Sequence, residues 1–505
     1  MNNEPEDEMI DGSQEVLLTL DEAVKFLDTS KSTLYRLLSQ QDVKGVKVGK
    51  QWRFRKADLV AYIERSPVAV AFDAAAGADL DSELAYLEAE YFAATGTAVE
   101  NDLESTAKSS ELKIADLVAH ILALAFVRSA SDIHFEPNAT ALRLRYRIDG
   151  VLQEVQRIPL SLHESLIARL KELSGMNLIE KRFPQDGRIL SRHGEKEYDL
   201  RLSLVPTLFG ESVVMRILDR TCALLGLDVL GADSREFEPL LKTLHRGSGL
   251  VLVTGPTGAG KTTLLYSCLQ EISAQDKKVI TAEDPVEFQL ADVTQIQINM
   301  RVGLTFAAAM HSALRQDPDV IMCGEIRDLE TMELAVRATL TGHLVLSTLH
   351  TEDAVGAVLR MVGIGIDPYL VSASLKCVVA ARLARRLCPR CKKTSGSSGG
   401  STHEAKAREL AANGGFRVPK DAVFYVAVGC DHCHRTGYRG RIGLFEVLPC
   451  TNKLIAEMIR CDSEDGAADL AIQSGMKTLF ADGMRKAASG ETSIDEVLRA
   501  TGTWL

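Results

Sequence analysis

The 505-residue chain lacks the roughly eighteen consecutive apolar residues that a bilayer-spanning helix needs, so no direct membrane span is expected. Its richest apolar segment, residues 117–127, is too short and contains His120. The first fifteen residues, MNNEPEDEMIDGSQE, are acidic and have no apolar core, unlike a secretory signal, and a cytoplasmic protein is expected. Positive charge is also in deficit. With 58 Lys and Arg against 69 Asp and Glu, the net charge of -11 excludes wholesale coating of nucleic acid but leaves room for one basic module. No internal repeat is present. Of ten cysteines, four fall in two Cys-x-x-Cys pairs. Without a secretory signal, such pairs point to metal before disulfide.

What is there is ordinary in composition and too long for one core. Shifts in pattern divide it into a disordered tail (1–16), a compact basic unit (17–65), an acidic linker (66–110), an α+β domain (111–222), a P-loop domain (223–387), a tetracysteine element (388–450) and a helical C-terminal region (451–505). The segment over 223–387 alternates strand, glycine loop, helix and strand, which predicts a parallel-rich sheet covered by helices. The fold class is therefore multidomain α/β.

GLVLVTGPTGAGKTT (249–263) carries the strongest chemical signal. An apolar strand runs into Gly255, Pro256, Thr257, Gly258, Ala259, Gly260, Lys261, Thr262 and Thr263, and a helix follows. Glycines let the backbone curl so that N–H groups face a β-phosphate, reinforced by the positive helix end. Lys261 would reach the β- and γ-phosphates, and the Thr262 hydroxyl would ligate Mg²⁺. ATP is the expected ligand.

Three further strand ends surround this site in sequence. In VITAEDPVEF (279–288) a second strand ends in Glu283 and Asp284, able to contact a magnesium-bound water or a ribose. DVIMCGEIRD has Gly324 where a magnesium-binding aspartate is usual, with Glu325 next. TGHLVLSTLHT is flanked by His343 and His350, each a hydrogen-bonded structural group or a γ-phosphate sensor. DLRLSLVPTLFGESVVMRIL places Arg201 and Arg216 on adjacent apolar segments, where spacing alone reads as two surface arginines.

Taken together with ASDIHFEP (130–137) and RFPQDGR (182–188), these motifs resemble the type II secretion and type IV pilus-assembly ATPases from about residue 111 to the C-terminus. The resemblance implies that residues 223–387 form a RecA-like P-loop motor domain, that Glu325 activates the attacking water, that Glu283 supports metal and water, and that His350 approaches the γ-phosphate. It also implies that Arg201 and Arg216 reach the phosphates when the two domains close, with Arg147 and Arg188 as weaker candidates. Glu325 can take the proton of the water while waters and Glu283 complete the magnesium shell. Glu352 stands where the family usually has asparagine.

Cys388 and Cys391, then Cys430 and Cys433 after thirty-eight residues, offer four thiolates to one tetrahedral ion, which suits structural Zn²⁺. In the resembling family this element accompanies secretion and pilus extension rather than retraction. The implied protein is a homohexameric ring motor, cytoplasmic and peripheral to the inner membrane. It would drive pilus or pseudopilus assembly through an inner-membrane platform protein of that apparatus.

Residues 17–65 resemble an excisionase-type winged helix-turn-helix, with eight Lys or Arg against Asp42 over 31–56. As a DNA reader it would offer Ser32, Thr33, Tyr35 and Arg36 to the major groove and Lys47, Lys50, Arg53 and Arg55 to phosphates. As an adaptor it would meet an acidic protein partner with the same face. A DNA-binding or DNA-translocating ATPase, or an ATP-gated regulator, is the alternative function that this module raises.

Overall fold

A computed structural model describes residues 110–194, 196–219, 226–272, 276–395 and 402–503, and of the first 109 residues 17–19, 23, 45–48, 51–55 and 87. The chain divides into two compact units, Met1–Ala78 and Asp79–Leu505.

In the first unit, β1 (Leu17–Thr19), β2 (Val46–Val48) and β3 (Gln51–Arg55) form an antiparallel sheet of order β1-β3-β2. The β2–β3 pairing, Val46 opposite Arg53 and Val48 opposite Gln51, is the two-stranded wing that the alternation VKVGKQWRF predicts. β1 adds a third strand opposite Phe54, which is fully buried. The apolar face of LTLDEAVKFLD predicts a first helix that includes Ala23, and Ala23 is helical and buried. The second helix with Ser32, Thr33, Tyr35 and Arg36 lies outside the described residues, as do Lys50, the side chains of Lys47 and Arg55, and the tail over 1–16. Within the acidic linker the described Leu87 is helical and buried.

The second unit holds two large sheets. The first comprises β4 (Ala130–Pro137), β5 (Leu142–Ile148), β6 (Val151–Ile158), β7 (Gln185–His193), β8 (Lys196–Thr207) and β9 (Gly210–Asp219), all antiparallel in the order β6-β5-β4-β9-β8-β7. Alternation writes its two faces. Leu142, Leu144 and Tyr146 of β5 are fully buried, while Arg143, Arg145 and Arg147 stand between them on the opposite face. The helix Ser110–Val127 packs on the apolar side, where the Tyr146 hydroxyl donates to the Ile121 carbonyl at 2.6 Å and Phe126 stacks on Tyr198 at 4.0 Å.

The second sheet is built from β10 (Gly249–Thr254), β11 (Val279–Glu283), β12 (Val293–Gln297), β13 (Val320–Cys323), β14 (Leu344–Leu349) and β15 (Leu375–Leu387). A small ribbon, β16 (Lys393–Thr394) with β17 (Tyr425–Val426), precedes the last strand, β18 (Tyr438–Pro449). The order is β12-β11-β13-β14-β10-β15-β18, parallel throughout except for the β15–β18 pair. β10, β11, β13 and β14 are buried at every position, because helices cover both faces. Leu250 and Leu252 enter one apolar cluster and Val251 and Val253 the other.

A boundary at 387 therefore divides this sheet: residues 438–449, grouped in sequence with the cysteine element, are its edge strand. The chain leaves the sheet after β15, winds the cysteine element, and returns antiparallel. Four helices follow (Asn452–Ile459, Glu464–Gln473, Leu479–Ala488, Ile494–Thr501), each opened by a Ser or Thr whose hydroxyl accepts a first-turn N–H.

Candidate nucleotide site and cysteine centre

The C-terminal ends of β10, β11, β13 and β14 lie side by side, which is where parallel α/β sheets bind ligands. They open into a cleft of about 960 Å³ lined by Thr257–Thr263, Glu283, Asp284, Glu325 and His350 on the sheet side and by Arg216 and Asp149 from the antiparallel sheet. Gly255 has to be glycine: a Cβ there would sit 2.5 Å from the Ala381 carbonyl. Gly260 caps the helix Lys261–Glu271 at φ 89°, left-handed backbone that turns the loop into the helix. The Lys261 ammonium donates to the Gly255 and Pro256 carbonyls at 2.7 and 3.1 Å, and Thr262 is exposed to the cleft. Burial lowers the Lys261 pKa, Glu325 opposes that shift, and Arg382 adds to it.

Glu325 is the centre of the site. Its carboxylate pairs with Arg327 on one oxygen and with His350 Nε2 at 3.2 Å on the other. Burial alone would raise its pKa, but the hydrogen bonds from Arg327 and His350 outweigh burial and hold it below the usual carboxylate value. His343 does not join the site, since its Nδ1 lies 2.9 Å from the Ala338 carbonyl and 3.0 Å from the Thr341 hydroxyl. Gly324 answers to the neighbouring strand: its N–H donates to the Ala282 carbonyl at 2.8 Å, and a Cβ would crowd that oxygen at 3.2 Å.

Glu283 is more committed than its sequence position suggested. Thr281 and Gln295 donate to one oxygen at 2.6 and 3.1 Å and the Tyr266 hydroxyl donates to the other, so both oxygens are already used. Asp284, beside it, also lines the cleft. The arginines separate by partner. Arg201 makes a two-pronged pair with Glu287, 2.9 Å at its closest, joining the antiparallel sheet to the segment after β11. Arg216 lines the cleft, with its Nε 3.3 Å from Asp132, which also pairs with Arg147 at 3.3 Å. Arg188 is fully engaged by Asp199, on two bonds of 2.5 and 2.6 Å.

Two residues that sequence reasoning passed over belong here. Arg327 follows Glu325 by two positions, and its charge beside a strand-end acid was the available signal. Arg382 on β15 sits beside the phosphate loop at Gly255. Burial lowers its pKa while Glu352, Glu446 and Asp353 oppose the shift.

The four cysteines converge. The sulfurs of Cys388, Cys391, Cys430 and Cys433 all lie within 4.8 Å of one another, and the pairs 388–430, 391–433 and 430–433 are 3.9, 3.7 and 3.8 Å apart. A tetrahedron with metal–sulfur bonds of about 2.3 Å has edges of about 3.8 Å, so the donor set fits one ion. The N–H groups of Cys430 and Gly437 both point at the Cys433 sulfur at 3.2 Å, a pattern that stabilises a thiolate.

Residues 107–499 match the family described as Type II/IV secretion system protein. The chain belongs to that family. Residues 17–67 match a helix-turn-helix domain. Among relatives of this family member, the type IV pilus assembly ATPase PilB of Myxococcus xanthus is 46% identical over 405 residues, 80% of this chain and 70% of that protein. The type II secretion system protein HxcR of Pseudomonas aeruginosa is 44% identical over 372 residues, 74% of each. The type II secretion system ATPase E of Vibrio cholerae is 42% identical over 388 residues, 77% of this chain and 75% of that protein. The fold is shared with the Legionella pneumophila ATPase DotB, at a TM-score of 0.55 and 20% identity over 78% of this chain and 96% of that one. Among the described residues no helix is long and apolar enough to cross a membrane.

Proposed function

We propose that this family member is an ATP-hydrolysing motor that powers assembly of type IV pili or type II secretion pseudopili. The observation that carries the reading is the meeting of Lys261, Glu325 and His350 at the mouth of one glycine-rich loop. The names of its relatives, pilus assembly ATPases and secretion ATPases, support the same process. The motor is a homohexamer that acts on the cytoplasmic side through an inner-membrane platform protein. The alternative of a DNA-translocating or DNA-gated ATPase rests on the N-terminal module alone and is not favoured by these relatives.

Each residue has a task that its surroundings support. The loop from Gly255 to Thr263 binds the phosphates, and Lys261 exchanges its carbonyl contacts for phosphate oxygens. Glu325, ionised and aimed into the cleft, accepts the proton of the attacking water. His350 orients that carboxylate and faces the γ-phosphate position. Thr262, with Asp284 and Glu283 behind it, forms a hard-oxygen set that suits Mg²⁺, which would neutralise charge on the phosphates. Arg216 and, once released from Glu287, Arg201 stabilise charge as the antiparallel sheet closes on the cleft. Zn²⁺ at the four cysteines is structural, since four thiolates leave no open position.

The test is Lys261→Ala at the native locus. Loss of surface pili or of a secreted protein, with the variant present at normal level, is the expected result. Unchanged assembly and secretion would refute the reading.

A further inference from the structure

One turn joins two parts of the second unit that lie 291 residues apart in sequence. β5 and β6 connect through Asp149 and Gly150, at φ 48° and 82°, a tight two-residue hairpin turn. The Asp149 side chain is only 17% exposed. Its Oδ2 accepts the Gly440 N–H at 2.9 Å, and its Oδ1 lies 4.0 Å from Arg441 Nε. Gly440 and Arg441 stand at the start of β18, just after the chain leaves the cysteine centre.

Both sides of this contact lead somewhere. On one side, residues 430–437 are wound on the sulfurs: Cys433 accepts N–H bonds from Cys430 and Gly437, and the Gly437 carbonyl accepts from Cys388 N–H at 2.9 Å. Gly440 is three residues further on. A cavity of about 180 Å³ beside the contact is lined by Val127 and Gln153 of the antiparallel sheet region and by Cys433 and Tyr438 of the cysteine element. On the other side, Arg147 Nη1 donates to the Gly150 carbonyl at 3.2 Å, and Arg147 Nε pairs with Asp132. Asp132 in turn holds Arg216, which lines the nucleotide cleft together with Asp149, Gly440 and Arg441. The contacts are continuous from sulfur to cleft.

We infer that the Asp149 turn is a positioning device that couples metal occupancy of the four-cysteine centre to the placement of Arg216 over the phosphate loop. The metal fixes the backbone over 430–440, Gly440 seats Asp149, and the Gly150–Arg147–Asp132 chain sets the guanidinium. This rests on the nucleotide-hydrolysing reading of the cleft, and it gives the metal element a role in turnover beyond holding its own loop. Asp149 acts through Arg216 and is a positioning residue.

The test uses the full chain, metal-loaded and chelator-stripped, with Asp149→Ala and Asp149→Asn. Hydrogen–deuterium exchange is read over 127–153 and 436–443, alongside metal content, kcat and the Kd of a fluorescent ATP analogue. Asp149→Ala is expected to keep its metal, exchange faster in both segments, and lose about tenfold to a hundredfold in kcat, as a misplaced charge-stabilising group would. Its Kd should stay within about twofold of wild type, because Arg216 contributes chiefly in the transition state. Asp149→Asn, which keeps an acceptor for Gly440, should recover most of the turnover. Stripping the metal should raise exchange in 127–153 although that segment holds no ligand. Unchanged exchange there after stripping, or wild-type kcat in Asp149→Ala, would overturn the inference. If the hydrolytic reading itself were wrong, wild type would show no turnover while the exchange coupling would remain.

Discussion

Replacing Glu325 by glutamine probes the chemistry with the least disturbance of shape. The side chain is 17% exposed and held by Arg327 and His350, and an amide of the same size can still accept from one of them. What disappears is the base. A positioned general base contributes about 10²–10⁴ in rate, or about 3–5 kcal/mol of barrier, and kcat should fall by that factor. Nucleotide affinity should hold or tighten, because a negative charge that acts on Lys261 is removed from beside the phosphates. The pH dependence follows from the same contacts. Burial would raise the Glu325 pKa, yet the bonds from Arg327 and His350 bring it below 4.5, so the carboxylate is charged and competent at any higher pH. Its contribution to kcat is lost only as pH falls through that lowered value. Single-turnover phosphate release and equilibrium binding of a fluorescent ATP analogue read the two effects separately. A glutamine variant that hydrolyses ATP within about threefold of wild type would refute the assignment, since general-base loss predicts far more.

Arg201→Ala and Arg216→Ala should each lower kcat by about tenfold or more while changing nucleotide Kd little, measured by steady-state turnover and titration. Equal loss in binding and turnover would return them to ordinary ground-state contacts. Metal analysis of the purified chain should find about one zinc per chain, and Cys433→Ser should lower that content; a folded, metal-free protein would contradict the site. Burial pushes Glu446 up to about 7 even though it accepts the Ala354 and Leu479 N–H groups at 2.8 and 3.2 Å. A folded-state pKa above the ordinary 4.5 means that stability is full below 4.5 and falls as pH rises towards 7, by at most about 3 kcal/mol. Thermal unfolding of Glu446→Gln should lack that decline.

Much of the motor was legible because its signals are local. The phosphate loop, the strand end at Glu325 and the cysteine pairs each compress their chemistry into a few adjacent residues, and the buried parallel strands read as continuous apolar runs. What stayed hidden depends on partners distant in the chain. Nothing near Arg188 announces Asp199 across the β7–β8 pairing, and nothing near Arg201 announces Glu287 in the segment after β11. Nothing near Glu283 announces that Tyr266 and Gln295, 17 residues before it and 12 after it, donate to its carboxylate. The return of β18 beside β15 was masked by the cysteine element between them, because pairing across a long excursion leaves no periodic trace. Asp149 reads as an ordinary hairpin turn, and only the fold shows what the turn touches.

The central claim, a nucleotide-driven ring motor, is tested most directly by measuring ATP hydrolysis and oligomeric state on the same samples of full-length protein across a concentration series. Magnesium-dependent turnover that rises with the population of a hexamer and vanishes in Lys261→Ala is the expected result. Nucleotide binding without turnover in the assembled hexamer, or full turnover in the monomer, would contradict it.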